Sequence, residues 1–236
     1  MSHVSPSQIH TFRACKRKWW YSRNRRRTSN RYAEFGSKVH AIREDWLNDG
    51  KPPDTSTKEG ACALAGLEHL PAPGSALVEI RINLSVGGVD YLGFADVLEY
   101  QSRVWVHDHK TCGTFDYALT EEDLLDDPQR IIYSAWALEA FRPTHVGATW
   151  HYLRRNPPEC RPVSIVEDAQ TVRERFHRLH VVDGQAIAAA QAANSPDPFP
   201  RSLNHCSAYG GCPFKEECLQ GVSPFEIAAA RMKEAA

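Results

Sequence analysis

Asp96, Asp108 and Lys110 are the residues of this chain whose types and spacing point most directly to chemistry. Side chains alternate faces along a strand, so in Asp108-His109-Lys110 the acid and the amine share one face and His109 takes the other. If Gln101-Ser102-Arg103 forms a three-residue hairpin loop, Tyr100 faces Val104 and Asp96 faces Asp108. Opposed carboxylates repel as a bare pair, and a divalent cation would offset that repulsion. His40 follows Gly36 by one helical turn, and the missing glycine side chain would let that helix approach a sheet closely. Gln129 and Tyr133 are likewise four apart and present an amide and a phenol on one helix face. A hard ion held by Asp96, Asp108 and His40 could polarise a phosphoryl oxygen. Lys110, a compact cation, could steady the charge that develops there.

A second set consists of thiols. Cys15 stands alone near the start, and Cys206, Cys212 and Cys218 cluster near the end with five residues in each gap. Zinc fingers usually need two close pairs, which this spacing lacks. Four thiolates suit Zn²⁺ or a [4Fe–4S] cluster, and the spacing does not separate the two. Cys62, Cys112 and Cys160 have no partner pattern. The total of seven cysteines is odd, which in a reducing compartment fits thiols and metal ligands better than disulfides.

The elements that would position these groups can be read from capping and turn residues. Ser5-Pro6-Ser7-Gln8 starts a helix that carries Cys15 near its end. A second helix runs from about Phe35 to Leu47, stopped by Asn48-Asp49-Gly50. Residues 57–70 form a short helix. Strands follow over Leu77–Val86, Tyr91–Tyr100 and Val104–Lys110, with Gly87-Gly88 as a hairpin turn. Asp127-Pro128 starts a helix that ends near Phe141, and a fourth strand covers Val146–Leu153. A proline-rich loop leads to one long helix, or two short ones, over residues 167–193, and Ser223-Pro224 starts a terminal helix. The expected fold is an α/β sandwich with a mixed central sheet. It forms a single domain over residues 1–236, with N-terminal helices at 5–50, a core at 77–155 and a cysteine-rich segment at 200–220.

At 236 residues the chain can bury one sizeable core, and 42 % hydrophobic with 24 % charged residues argues against wholesale disorder. No stretch approaches the length of a membrane span and the first residues lack the regions of a secretory signal, so a cytoplasmic location is expected. The net charge of −1 is unevenly spread. Residues 1–33 contain no acid but nine Lys and Arg residues, Arg25, Arg26 and Arg27 among them, interleaved with Trp19, Trp20 and Tyr21. Arginines with aromatics can follow a phosphate backbone and stack bases, which makes Arg25, Arg26, Arg27 and Trp20 candidate nucleic-acid contacts.

Gly36…His40, Gly93-Phe94-Ala95-Asp96, Asp108-His109-Lys110 and Gln129…Tyr133, in that order, resemble the RecB-like branch of the PD-(D/E)XK nuclease superfamily. The resemblance implies a restriction-endonuclease-like core and a DNA exonuclease that acts on single-stranded ends. It implies His40, Asp96 and Asp108 as ligands of Mg²⁺ or Mn²⁺, with the His109 carbonyl as a further ligand. Lys110 would be the catalytic lysine, and Gln129 and Tyr133 would contact the substrate strand or support the lysine. Glu79 could assist a second metal. Iron–sulfur members of this branch, the CRISPR-associated exonucleases among them, use one early and three late cysteines. This implies a [4Fe–4S] cluster on Cys15, Cys206, Cys212 and Cys218, and a partner in recombination or CRISPR adaptation. The first gap departs from those families, which often have Cys-x2-Cys there; ligand identity therefore stays open, with His205 an outside candidate. Two other readings remain: a non-catalytic DNA-end-binding module with the same fold, and a zinc-stabilised nucleic-acid-binding protein.

Overall fold

The computed structural model of the chain describes residues 3–23, 31–101, 103–206, 211–220 and 222–223. Five strands form one mixed sheet in the order β1-β2-β3-β4-β5, with ranges Leu77–Val86, Val89–Glu99, Val104–Cys112, His145–Arg155 and Pro158–Asp168. Only the β3–β4 pair is parallel; the other three are antiparallel. Helices α1 (Pro6–Ala14), α2 (Lys16–Ser22), α3 (Arg31–Asp49) and α4 (Lys58–Leu64) precede the sheet. Helices α5 (Glu121–Leu125) and α6 (Pro128–Phe141) make the crossover between β3 and β4 that parallel neighbours require. Helices α7 (Ala169–Leu179), α8 (Gln185–Ala190) and α9 (Lys215–Leu219) follow β5. The result is an α/β fold with a five-stranded mixed sheet flanked by helices, consistent with a restriction-endonuclease-like core.

Local chemistry explains the boundaries. The Ser5 hydroxyl accepts from the Gln8 N–H and Pro6 occupies the first turn of α1. The Asp127 carboxylate caps α6 by accepting from the Arg130 N–H at 2.8 Å. Gly87 and Gly88 both have positive φ, which a two-residue hairpin between Val86 and Val89 needs.

Two expectations are corrected. The proline-rich stretch after β4 is not a loop but β5. It pairs on one side only, and at such an edge Pro162 costs no ladder bond. Helix α3 begins at Arg31 rather than Phe35. After β5 the chain is one continuous helical run over residues 169–190, the long-helix form of the two expected, with a π turn over His180–Gly184 joining α7 to α8. A Cβ at Gly184 would lie 1.8 Å from the Tyr91 hydroxyl, which bonds His180 Nδ1 at 2.9 Å.

The sheet forks where the chemistry was expected. Strands β2 and β3 share the ladder pairs Glu99↔Trp105, Leu98↔Val106 and Val97↔His107 and then part. Continuing that register sets Asp96 opposite Asp108, at the mouth of the fork. Beyond it β2 finds other partners for its backbone, as buried polar groups must. Tyr133 donates its hydroxyl to the Phe94 carbonyl at 2.7 Å and accepts from the Phe94 N–H at 3.1 Å. Val4 exchanges backbone bonds with Asp90 and Leu92 at 2.8 and 2.9 Å. Gly93 makes room for this plug, because a Cβ there would lie 2.5 Å from Tyr133 Cε1. Gly93→Ala should therefore destabilise the protein by about 1–3 kcal/mol through overpacking. The same methyl should cost much less in a Tyr133→Ala background, a coupling that urea midpoints of the four proteins would measure.

Candidate metal and catalytic site

Each arm of the fork brings a different set of side chains. On α3, Gly36 lies against β3 so closely that a Cβ would meet Thr111 Oγ1 at 3.0 Å. One turn later His40 reaches the fork, with Nδ1 3.5 Å from Asp96 Oδ2. From β3, the His109 N–H donates to Asp96 Oδ2 at 2.6 Å, and its ring Nδ1 lies 3.6 Å from the same oxygen. Ligand atoms of His40, Asp96 and His109 all fall within 4.8 Å of one another, the one such trio among the described residues. His109 thus offers its imidazole to the site, a group for which the sequence reading had named only the carbonyl.

The opposite face of β3 carries the second set. Lys110 Nζ is 2.7 Å from Asp108 Oδ2 and donates to Gln129 Oε1 at 2.8 Å. Gln129 Nε2 closes the triangle by donating to Asp108 Oδ1 at 2.6 Å. Gln129 and Tyr133 lie on one face of α6, but the phenol serves the Phe94 backbone, so Tyr133 supports the fork and Gln129 holds the lysine–acid pair.

Burial sets the electrostatics. It raises the Asp108 carboxyl to about 6, with Lys110 opposing and Asp96 adding to the rise. For Lys110 burial works against the ammonium, but Asp108, then Asp96 and Asp127, outweigh it and hold the pKa above its ordinary value. His40 behaves similarly: desolvation disfavours its charge, while Asp96, Asp108 and a backbone hydrogen bond with His109 raise it overall. Glu79 falls between Val78 and Ile80, which pair with Val97 and Ala95 on either side of Asp96, but it is exposed and has φ of 50°; burial, Asp96 and Glu44 raise its pKa.

The four thiols come from the two ends of the chain to one region. Burial raises the Cys206 thiol, and the nearby sulfurs of Cys212, Cys15 and Cys218 raise it further. Tyr21 on α2 stacks on Phe214 with centroids 5.6 Å apart, and Arg201 Nε donates to the Cys218 carbonyl at 3.0 Å. Cys15 does not lie within the first helix. It separates α1 from α2, and its Sγ accepts from the Lys18 N–H at 3.4 Å. All seven cysteines are free thiols.

Three arginines of the basic N-terminal stretch, Arg13, Arg17 and Arg23, reach partners near the other end of the chain. Arg13 Nη2 pairs with Asp183 Oδ2 at 2.7 Å, and buried Arg17 donates to the Phe199 and Asp197 carbonyls. Arg23 donates to the carbonyls of Ala190, Gln191 and Ala193, where α8 ends. Trp20 is half-buried: its N–H donates to the Ala193 carbonyl and Arg23 covers its ring at 4.9 Å. It is a packing residue rather than an open stacking platform. Arg25, Arg26 and Arg27 lie outside the described residues.

Residues 3–72 match the family model of the PD-(D/E)XK nuclease superfamily. That span contains Gly36 and His40, so the helix over the fork is part of the match. A solved protein of Eubacterium rectale, named as a candidate exonuclease, overlays with a TM-score of 0.50 at 10% identity, covering 84% of each chain. At that identity the likeness shows the fold. The solved structure of SSO0001 is similar at 16% identity over 95% of this chain and 87% of that one, with a TM-score of 0.42. Among curated protein sequences none matches. Sequence reading missed His107 and His151, which line the buried face beside His109. The His107-x-His109 alternation was the available signal, since residues two apart on a strand share a face.

Proposed function

We propose that this chain is a nuclease dependent on Mg²⁺ or Mn²⁺, an exonuclease that hydrolyses phosphodiester bonds at single-stranded DNA ends. The observation that carries the reading is the gathering of His40, Asp96 and His109 within one ion's reach at the fork, beside the Asp108–Lys110–Gln129 triangle. The donor set fits a divalent ion: a carboxylate and two imidazoles meet at one point, and a second carboxylate is held charged-side inward by an ammonium. His40, Asp96 and Asp108 would hold the ion, with His109 as a further ligand. Bound there, it supplies the Lewis acidity that polarises a phosphodiester and makes water a competent nucleophile near neutral pH.

The chain's own groups divide the remaining work. Lys110, paired with Asp108 and held by Gln129, acts in this reading as an ammonium rather than a general base. It donates to the attacking water or to the oxygen that gains charge. Gln129 fixes the direction of that donation by bonding both Lys110 and Asp108. Glu79, at the margin, is placed to assist a second ion.

The four-thiol region is a separate structural centre in this reading. Single-ion zinc sites close with Zn–S bonds of about 2.3 Å, which puts the sulfurs within about 4 Å of one another. In this reading Cys15, Cys206, Cys212 and Cys218, whose thiols lie near one another, would hold a [4Fe–4S] cluster, with Zn²⁺ the alternative. The setting we assign is recombination, repair or CRISPR adaptation in a phage or prokaryote.

End-labelled single- and double-stranded DNA incubated with Mn²⁺, with EDTA as control, tests the activity. Progressive shortening of the single strand from an end is expected; no Mn²⁺-dependent cleavage of either substrate would refute the nuclease. A pH dependence follows as well. With its carboxyl raised to about 6, Asp108 is protonated below that value and a proton competes with the ion. Mn²⁺ affinity, measured by calorimetry, should fall steadily as Asp108 protonates below about 6, and should still be rising above 6 because His40, whose pKa is raised, must also lose its proton to bind.

A further inference from the structure

Past the catalytic triangle, β3 leads to a cavity of about 550 Å³ set among α3, the start of α4 and the turn between β4 and β5. Phe35 lines it from α3 and Lys58 from α4, while Gly113 and Arg155 line it from the ends of β3 and β4. Lys110 and Gly113 are three residues apart, about 10 Å of extended chain. Phe35 directly precedes Gly36, the residue of α3 that packs on Thr111. A single strand of nucleic acid could therefore touch the proposed cleavage site and this cavity together.

The lining suits a chain of phosphates and bases. Among the described residues that form it are two cations, Lys58 and Arg155, and no carboxylate. The acids near it in sequence are engaged elsewhere: Asp54 accepts from the Ser56 hydroxyl at 2.7 Å, and Glu59 pairs with Lys38 at 3.4 Å. Arg155 is held by groups that leave its charge unmatched. Its Nε donates to the Cys112 carbonyl at 3.3 Å, and its guanidinium lies 4.6 Å from the Tyr32 ring centroid and 5.9 Å from that of Phe35. A Cβ at Gly113 would come within 3.1 Å of Arg155 Nη2, so the glycine leaves room for the guanidinium. A planar guanidinium matches phosphate oxygens with paired donors, and an exposed lysine adds a point charge. The half-buried Phe35 ring offers a face on which a base can stack, whatever its identity.

We propose that this cavity is a strand-holding subsite that selects single-stranded DNA: Arg155 and Lys58 take phosphates of the strand near the bond that is cut, and Phe35 stacks one unpaired base. The proposal rests on the nuclease reading above and gives its preference for single strands a physical cause, since a duplex keeps its bases stacked on one another and out of reach of the ring.

The test is fluorescence anisotropy of a labelled oligothymidylate, and of a labelled duplex, titrated with protein in EDTA over a range of NaCl concentrations. Lys58→Gln should flatten the slope of log affinity against log salt for the single strand by about 0.7, and Lys58→Gln combined with Arg155→Gln by about 1.4. Lys58 is exposed, so the single variant gives a reading even if loss of Arg155 disturbs the fold. Lys51→Gln, which removes an exposed cation already paired with Asp45, is the control and should leave the slope as it is. Phe35→Leu keeps an apolar side chain against the Val39–Leu153 cluster and removes only the ring. It should weaken single-strand binding by about fivefold or more, and duplex binding by less than about twofold. Wild-type slopes in both charge variants, or equal losses on the two substrates in Phe35→Leu, would overturn the subsite. No metal is present in this assay, so its outcome is separate from that of the nuclease. The expected losses in a protein that never cuts DNA would refute the nuclease alone. Wild-type binding by all the variants of a protein that does cut would refute the subsite alone.

Discussion

Lys110→Ala should lower Mn²⁺-dependent cleavage by about 10²- to 10³-fold, and Asp108→Asn by at least as much, while both proteins still bind DNA. The two residues form one unit with Gln129, so the double variant should be little worse than the more damaging single one. Stability should move the other way for Asp108. Its carboxyl is raised to about 6 in the fold from an ordinary value of 3.8, chiefly by burial. The folded state therefore binds this proton more tightly than the unfolded state, and stability falls as pH rises from about 4 to about 6. Above that the charge is a standing cost. Asp108→Asn removes this titration, so the variant's stability should gain on that of wild type as pH rises from about 4 to about 6. Urea unfolding of both proteins across that range, beside the cleavage assay, separates a site residue from a structural one. An Asp108→Asn variant that keeps the wild-type pH dependence of stability between 4 and 6 would show that this carboxyl is not raised in the fold.

The second large effect concerns the thiols. Cys15 and Cys206 are about 190 residues apart in sequence, and a cluster that ties them together removes a large loop-closure entropy from the unfolded chain. By analogy with a cross-link closing a loop of about 100 residues, such a tie would contribute about 5 kcal/mol. Domains commonly have only about 5–15 kcal/mol in total. Cys212→Ser should accordingly bleach the brown, reducible chromophore expected of the anaerobically purified protein, release iron and sulfide, and lower the melting temperature sharply. Cys62→Ser and Cys160→Ser, whose thiols burial holds at about 11, should do none of this. A colourless wild type carrying stoichiometric zinc would replace the cluster with a single ion. Unchanged colour and melting temperature in Cys212→Ser would remove that thiol from the centre.

Much of the fork was legible in the chain because its determinants are local. Gly87-Gly88 fixes one hairpin, Asp127-Pro128 starts α6, and the period of two along β3 separates Asp108 and Lys110 from His109. Gly36 and Gly93 signal close approach, although that the group approaching Gly93 is Tyr133 depends on where α6 lands. Strand β5 was hidden by Pro157, Pro158 and Pro162, residues that read as a loop unless the strand is known to be an edge. The histidine row was hidden for a different reason. His151 meets His109 only through the β3–β4 register, which a crossover of two helices sets and no local pattern announces. The N-terminal arginines show the converse failure. Their charge is plain in the sequence, yet Arg13, Arg17 and Arg23 find partners more than 160 positions away and become clamps between the chain's two ends.

Crystals of the wild-type protein grown with Mn²⁺ and measured at the manganese absorption edge give the most direct test of the site. The expected result is an anomalous peak in the β2–β3 fork, within bonding distance of Asp96, Asp108 and an imidazole of His40 or His109. Peaks confined to other surfaces, with Asp96 still accepting from the His109 N–H and His40 turned away, would contradict the metal site and the hydrolysis assigned to it.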